Sequence, residues 1–276
     1  SVEIAATWLA LGLDTDAVTF YRQSDVPEIT ELAWVLNCWT AKGLMNRAHA
    51  YKAAVQANEE AGEDPDYAIT MGLFGYPVLM AADILLFNGQ HIPVGKDQIQ
   101  HVEMARDIAQ RFNHHYGEHF LLPEAVVEDN VAVLQGLDGR KMSKSYDNTI
   151  NIFETDKKLR KRIMSIQTDS TPMEDPKDPD QDLVYHLFKL MGTSEQTAEL
   201  RERYLKGGMG YGHAKQALFE LIVEKFGEER EKFQYFMQNT KLIDDKLQEG
   251  SQKAGVVAYE VLSRVREKLG YKKFAY

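Results

Sequence analysis

A strand-to-helix step over residues 17–43, a strand, glycine turn and helix over residues 91–112, and a change after about residue 150 to helices joined by Gly or Pro breaks predict an α/β unit followed by an all-helical one. Strand followed by helix at this rhythm is one step of a doubly wound parallel sheet. The 276 residues suffice for roughly two domains at about 150 residues each. The boundary is therefore expected near residue 150, with residues 1–150 as the α/β domain and 151–276 as the helical one. Hydrophobic residues at 44% and charged residues at 27% supply ample core and argue against disorder.

Apolar groups recur at helical spacing in Val2, Ala5, Ala6, Trp8 and Leu9, and Gly12 marks a stop, so the first element is a helix. Residues 17–22 hold the run Val-Thr-Phe-Tyr between Asp16 and Ser24-Asp25-Val26-Pro27, which predicts a strand. A helix follows from about Glu28 to Gly43. Cys38, among Val35, Leu36 and Trp39, reads as an inert buried thiol, and a single cysteine excludes an intrachain disulfide and a cysteine-based zinc cluster. Residues 44–75 are mixed, and the acidic stretch 58–66 reads as a solvated loop.

The next helix, Pro77 to Asn88, carries Asp83 in an apolar stripe, with Leu79 and Met80 one turn before it and Leu86 and Phe87 one turn after. An unpaired carboxylate there would cost several kcal/mol or stay protonated, so it needs a partner: a basic side chain, a backbone amide, or a ligand. His91 to Val94 then forms a short strand, Gly95-Lys96-Asp97 a tight turn, and Gln98 to Phe112 a helix with Asp97 as its N-cap. Strand, glycine turn and helix N-terminus build the strand-end crevice in which doubly wound folds bind ligands. His101, His114 and His115 have no carboxylate at metal-ligand spacing, and no metal site is assigned to them.

An apolar run from Val131 to Leu134 leads into Gly139-Arg140-Lys141-Met142-Ser143-Lys144-Ser145, too polar and glycine-marked for a core element and read as a loop of concentrated positive charge. Beyond Asn151-Ile152-Phe153, the basic run Lys157, Lys158, Arg160, Lys161 and Arg162 reads equally as a solvated face or a nucleic-acid contact. Three further helices stand out, at about 181–191, 213–226 and 251–269, the last with Ala254, Ala258, Val261, Leu262, Val265 and Leu269 on one face.

The net charge of −10 rules out a generally basic nucleic-acid coat, so any polynucleotide contact must come from a local patch. The apolar start is interrupted by Glu3 and has neither a basic leader nor a full membrane span. A soluble cytoplasmic protein is the expectation.

Lys141-Met142-Ser143-Lys144-Ser145 resembles the signature loop of class I aminoacyl-tRNA synthetases. The stretch Tyr76-Pro77-Val78-Leu79-Met80-Ala81-Ala82-Asp83-Ile84-Leu85-Leu86-Phe87-Asn88, with Ile92 to His101, Ala105 to Ala109 and Arg111-Phe112-Asn113, is similar to the bacterial tryptophanyl-tRNA synthetase family. The resemblance implies a Rossmann-like domain ending in the lysine loop, then a helical domain that reads the tRNA anticodon. It implies that tryptophan is activated with ATP and passed to tRNA(Trp), with Mg²⁺ bridging the phosphates.

By the same resemblance, Lys141 and Lys144 are the catalytic pair, and Met142, Ser143 and Ser145 share their contact with ATP. Gly95 lets the backbone approach the nucleotide, Asp97 addresses its ribose, and Gln98 addresses the amino acid's polar end. Asp83 would accept from the indole N–H, with Met80 and Tyr76 walling the pocket, and Lys52 lies in a part of the family's chain close to the ATP phosphates. The family is typically a homodimer. Its early His-x-Gly-His or His-x-Gly-Asn motif does not occur in this sequence. The expectation is an N-terminally incomplete synthetase. The alternatives are a tyrosine-specific or other aromatic synthetase, and a truncated noncatalytic tRNA-binding paralogue.

Overall fold

The computed structural model describes residues 1–127 and 134–271. Most of the chain is helical, and the sheet is small, with two parallel strands, β1 (His91–Pro93) and β2 (Glu124–Val126), paired His91 to Glu124, Ile92 to Ala125 and Pro93 to Val126. The expected strand at 91–94 and its parallel pairing are present. The expected strand at 17–22 is not: Ala17 lies in a turn, Val18 in a bend, residues 19–22 are not assigned to a strand, and Arg22 leads into a short 3₁₀ turn at Gln23–Asp25. The segment's apolar and aromatic side chains pack without a ladder, and periodicity cannot reveal whether a neighbouring strand is at hand.

The chain packs as two compact units, Ser1–Asp14 with Val131–Ile243, and Thr15–Asn130 with Asp244–Tyr276. This grouping differs from a single division near residue 150. The C-terminal helix supplies its apolar stripe to the core of the earlier part of the chain, whatever its place in the sequence. The expected apolar run at 131–134 falls, apart from Leu134, outside the described residues.

In the second of these units, α2 (Glu28–Trp39) and α5 (Met71–Leu85) pack together, and α5 packs on α6 (Ile99–Tyr116). Ile29, Leu32, Leu36, Val78, Ala82, Leu85, Ala105, Ile108 and Phe112 make the centre of the core. The last part of α12 (Thr240–Lys268) closes it with Ala254, Ala258, Val261, Leu262 and Val265, the stripe expected from the sequence. Arg266 of α12 forms a two-pronged ion pair with Glu31 of α2. Asn113, near the end of α6, accepts from the amides of His119 and Phe120 and donates to the Phe120 carbonyl, which ties down the turn leading to β2.

Several boundaries differ from expectation for local reasons. Helix α2 stops at Trp39, where Thr40 turns extended and its hydroxyl donates to the Leu36 carbonyl, and Gly43 lies inside a separate short helix, α3 (Lys42–Met45). Residues 49–60 form α4 (His49–Glu60), a helix with no buried residue and hence no apolar stripe to betray it. Helix α5 begins six residues before Pro77, because Thr70 caps it by accepting from the Leu73 amide, and Pro77 sits in its second turn. Cys38 is exposed rather than buried: it lies one turn from Trp34, which is 70% exposed, on the face of α2 opposite the core.

In the first unit, α1 (Val2–Ala10) packs against α11 (Gly227–Gln238). Helix α10 (Tyr211–Lys225) packs against α7 (Asp156–Met164) and α8 (Leu183–Met191), and α8 contacts α9 (Ser194–Lys206). Leu159, Ile163, Val184, Tyr204, Ala214, Leu218 and Ile222 form the second core. Asp182 caps α8 by accepting from the Tyr185 amide and also accepts from the buried Tyr204 hydroxyl at 2.7 Å. Lys177, 3% exposed, donates to the carbonyls of Pro172, Met173 and Asp175, so a buried ammonium is satisfied by backbone.

Candidate active site

Helix α5 places Asp83 at the edge of the core, half-buried between Ala82 and Ile84, which are buried. Its Oδ2 accepts from the side-chain amide of Gln23 at 2.7 Å. The carboxylate and Gln23 line a cavity of about 390 Å³ with Thr19, Phe20 and Tyr21. Burial pushes the Asp83 carboxyl above the usual carboxylate range, against the lowering effect of the Gln23 bond. Burial, reinforced by the nearby Asp83 charge, pushes the Tyr21 hydroxyl up to about 12, so it stays protonated at neutral pH. One carboxylate oxygen is thus held by the protein while the side chain still faces a cavity.

The approach of residues 19–23 depends on a distant glycine. A Cβ at Gly250, inside α12, would sit 1.8 Å from the Phe20 carbonyl oxygen. Gly250 therefore lets the backbone that walls the cavity lie directly on the helix.

After β1, Gly95 turns the chain into a 3₁₀ turn at Lys96–Gln98, and α6 starts at Ile99. Asp97 is not the N-cap of α6. The carboxylate folds back over Gly95, where a Cβ would meet Asp97 Oδ1 at 2.7 Å, and Gln98 donates to Asp97 Oδ2 at 2.9 Å. The φ of −69° is open to any residue, and the atom that a Cβ would meet is the end of a flexible side chain.

Tyr76 and Met80 are not among the residues lining the Asp83 cavity. Tyr76 lines a separate, mainly apolar cavity of about 630 Å³ with Trp34, Cys38, Met71, Phe74 and Leu79. Its hydroxyl meets His101 Nε2 at 2.5 Å, and burial is the largest influence lowering the affinity of that histidine for a proton. Met80 is partly buried against the core. Lys52 is exposed on α4.

The lysine loop belongs to the other unit. Gln135 and Lys141 form an antiparallel bridge, Gly136 donates to the Arg140 carbonyl and Met142 to the Leu134 carbonyl, so the loop starts as a tight hairpin. Lys144–Tyr146 is a 3₁₀ turn whose Ser143 cap accepts from the Ser145 amide, and the two hydroxyls of Ser143 and Ser145 lie 2.7 Å apart. Lys141 and Lys144 are exposed. Arg140 lies over the Tyr146 ring at 4.6 Å. Asp147 closes the loop at φ 48°, and Arg162 of α7 reaches its carboxylate at 2.5 Å and its carbonyl at 3.0 Å. In the basic run, Arg162 and Arg160 thus serve internal contacts, Arg160 on Gln216, while Lys157, Lys158 and Lys161 stay exposed.

The family described as tRNA synthetases class I (W and Y) matches residues 1–227 of this chain. This chain belongs to that family. It is 56% identical over 272 residues to the tryptophan--tRNA ligase of Pseudomonas aeruginosa, covering 98% of this chain and 60% of that protein. It is 53% identical over 268 residues to the tryptophan--tRNA ligase of Neisseria meningitidis, covering 97% of this chain and 80% of that one. Among solved structures, the tryptophanyl-tRNA synthetase of Campylobacter jejuni complexed with ADP and tryptophan aligns with a TM-score of 0.90 at 48% identity, covering 98% of this chain and 82% of that chain. The chain spans about 60% of the length of the Pseudomonas relative.

In this class I synthetase chain, the residues expected from the sequence fall into two groups. Asp83, Gly95, Asp97 and Gln98 lie in the unit built on α5 and α6, and Lys141, Met142, Ser143, Lys144 and Ser145 in the unit built on α7 to α11. Gln23, Phe20, Tyr21 and Gly250 were not foreseen. Gln23 follows an apolar run as a loop residue, and Gly250 reads only as a weak point in a helix. Neither carries a periodic signal, since their partners are 60 residues away for Gln23 and on another element for Gly250.

Proposed function

We propose that this chain forms the amino-acid pocket and lysine loop of a tryptophan--tRNA ligase. The observation that carries the reading is Asp83, whose one oxygen is held by Gln23 while the carboxylate faces a cavity walled by Phe20 and Tyr21. Indole has one N–H donor on an otherwise apolar bicycle. A half-buried acceptor left unpaired by phenylalanine discriminates by roughly 10⁴ or more, far beyond what apolar contact alone provides. Gln98 is proposed to meet the amino acid's polar end.

In the proposed reaction, the tryptophan carboxylate attacks the α-phosphate of ATP, a P–O bond forms, and pyrophosphate leaves with the electron pair of the broken bond. A terminal ribose hydroxyl of tRNA then attacks the acyl carbon, releases AMP, and gives up its proton. Lys141 and Lys144 stabilise charge growing on the leaving pyrophosphate, with Met142, Ser143 and Ser145 shaping the loop around ATP. Gly95 and Asp97 address the nucleoside. Ammonium and hydroxyl groups in the loop fit phosphate oxygens rather than a divalent cation, so Mg²⁺ is assigned to the phosphates and supplies further charge neutralisation there. The helices after residue 150 that precede α12 are assigned to the tRNA anticodon, with Lys157, Lys158 and Lys161 as the exposed cations of the basic run. A cytoplasmic homodimer completes the proposal. Among the described residues no helix is long and apolar enough to cross a membrane.

Pyrophosphate exchange by the full-length polypeptide, with tryptophan against tyrosine, tests this reading. Exchange with tryptophan alone supports it. Exchange with tyrosine supports the second reading, which the dual W and Y scope of the family and the ability of a carboxylate to accept from a phenol keep open. Binding of tRNA with no exchange would indicate a noncatalytic paralogue.

A further inference from the structure

Asn148 sits at the end of an exposed loop, yet it is 2% exposed. Its Nδ2 donates to Asp138 Oδ1 at 2.8 Å and to the Lys141 carbonyl at 3.1 Å, and its Oδ1 accepts from the Ser143 amide at 2.7 Å. Its own backbone carbonyl accepts from the Leu137 amide at 2.9 Å. Both amide hydrogens and both oxygens of the residue are therefore used, and every bond goes to the segment 137–143. The seat is cut to this side chain: a Cβ on Gly136 would lie 2.3 Å from Asn148 Cγ and 2.5 Å from its carbonyl oxygen.

The consequence falls on the two lysines. The carbonyl of Lys141 and the amide of Ser143 are pinned to one rigid amide, while the Lys141 and Lys144 side chains remain exposed. Asp138 is the second part of the clamp. Its carboxylate also accepts from the Arg140 amide and guanidinium, and the Asn148 bond is the largest influence holding it down at about 2. It remains ionised through the neutral range, and its partner at this position must be a donor.

We propose that Asn148 is a positioning residue for the activation step, holding the backbone of Lys141 to Ser143 so that the two ammonium groups meet the triphosphate without the loop having to order first. This rests on the synthetase reading for the identity of the ligand, but not for the geometry of the clamp. No isosteric replacement keeps the pattern. Aspartate would set a carboxylate against Asp138 and against the Lys141 carbonyl, and leucine would take the Asn148 partner from the Lys141 carbonyl and the Ser143 amide.

The test uses the full-length polypeptide with Asn148→Ala, Asn148→Asp and the swap Asp138→Asn/Asn148→Asp. A misplacement of catalytic groups by about an ångström costs about 10²-fold, so the turnover number for tryptophan-dependent pyrophosphate exchange should fall by about that factor in Asn148→Ala, with the tryptophan dissociation constant within two-fold of wild type. Asn148→Asp should be worse, and the swap should recover part of its loss because donor and acceptor are exchanged. Hydrogen exchange at the Ser143 amide reads the loop without turnover: it should be slow in ligand-free wild type and faster in Asn148→Ala, and MgATP should slow it more in Asn148→Ala than in wild type. Wild-type turnover in Asn148→Ala and Asn148→Asp overturns the proposal, as does a parallel loss of tryptophan binding and thermal stability, which marks a general folding role. If wild type exchanges pyrophosphate with no amino acid, the synthetase reading fails, and the ligand-free hydrogen-exchange comparison still decides the role of Asn148: equal exchange at the Ser143 amide in both proteins rejects it.

Discussion

Gln23 donates its side-chain amide to Asp83 Oδ2 at 2.7 Å across 60 residues of sequence. The bond answers the question that a carboxylate in an apolar stripe raises. It supplies a polar partner without a countercharge, and it orients the group beside a cavity. A basic partner would have tied the charge up; an amide leaves it with acceptor capacity to spare.

Removing that orientation should weaken selection more than folding. In Gln23→Leu, loss of one hydrogen bond to a charged group, worth about 1.5–3 kcal/mol, should reduce tryptophan kcat/KM by about 10–100-fold. Asp83→Ala should cost more, and should narrow the preference for tryptophan over phenylalanine. Pyrophosphate exchange with the two amino acids measures both effects, and an unchanged preference in Asp83→Ala would remove this residue from substrate recognition.

Acidity should report on the same carboxylate. Because the folded protein holds the Asp83 proton more tightly than the unfolded chain does, its contribution to stability is greatest below about pH 4 and is lost as pH rises through the raised value. Asp83→Asn should therefore melt higher than wild type at neutral pH, with the difference shrinking toward acid. Tryptophan affinity should run the opposite way, increasing as the carboxylate ionises, and it should be flat over the same range in Asp83→Asn. Calorimetric titration from pH 4 to 8 distinguishes the two trends.

Gly250→Ala provides a test at a distance. The added methyl would lie 1.8 Å from the Phe20 carbonyl oxygen, so residues 19–23 or α12 must move. Overpacking of this kind costs about 1–3 kcal/mol. A lower melting temperature together with weaker tryptophan binding is expected, and melting alone with unaltered binding would separate this wall from the pocket.

Lys141→Ala and Lys144→Ala should leave the melting temperature unchanged, since both side chains are exposed. Each should slow adenylate formation by about 10²–10³-fold, the usual consequence of losing one preorganised group at a developing negative charge. Rapid-quench measurement of the activation step reads this directly. Normal rates in both variants would mean that the loop has another role.

The sequence by itself determined the parts governed by near neighbours. The spacing of Ala254, Ala258, Val261, Leu262 and Val265 announced the face that α12 buries, the lysine pair marked its loop, and Asp83 stood out because three- and four-residue neighbours on a helix are apolar. Tertiary structure alone decided what meets those groups: that an amide from residue 23 rather than a cation satisfies Asp83, that Thr19, Phe20 and Tyr21 wall a cavity without pairing as a strand, that Cys38 faces outward, and that Asn148 clamps the loop. Helical and strand periods encode which face of one element is apolar. They contain nothing about which distant backbone will approach it, because that choice is made by shape and by the pairing of buried polar groups once the elements have come together.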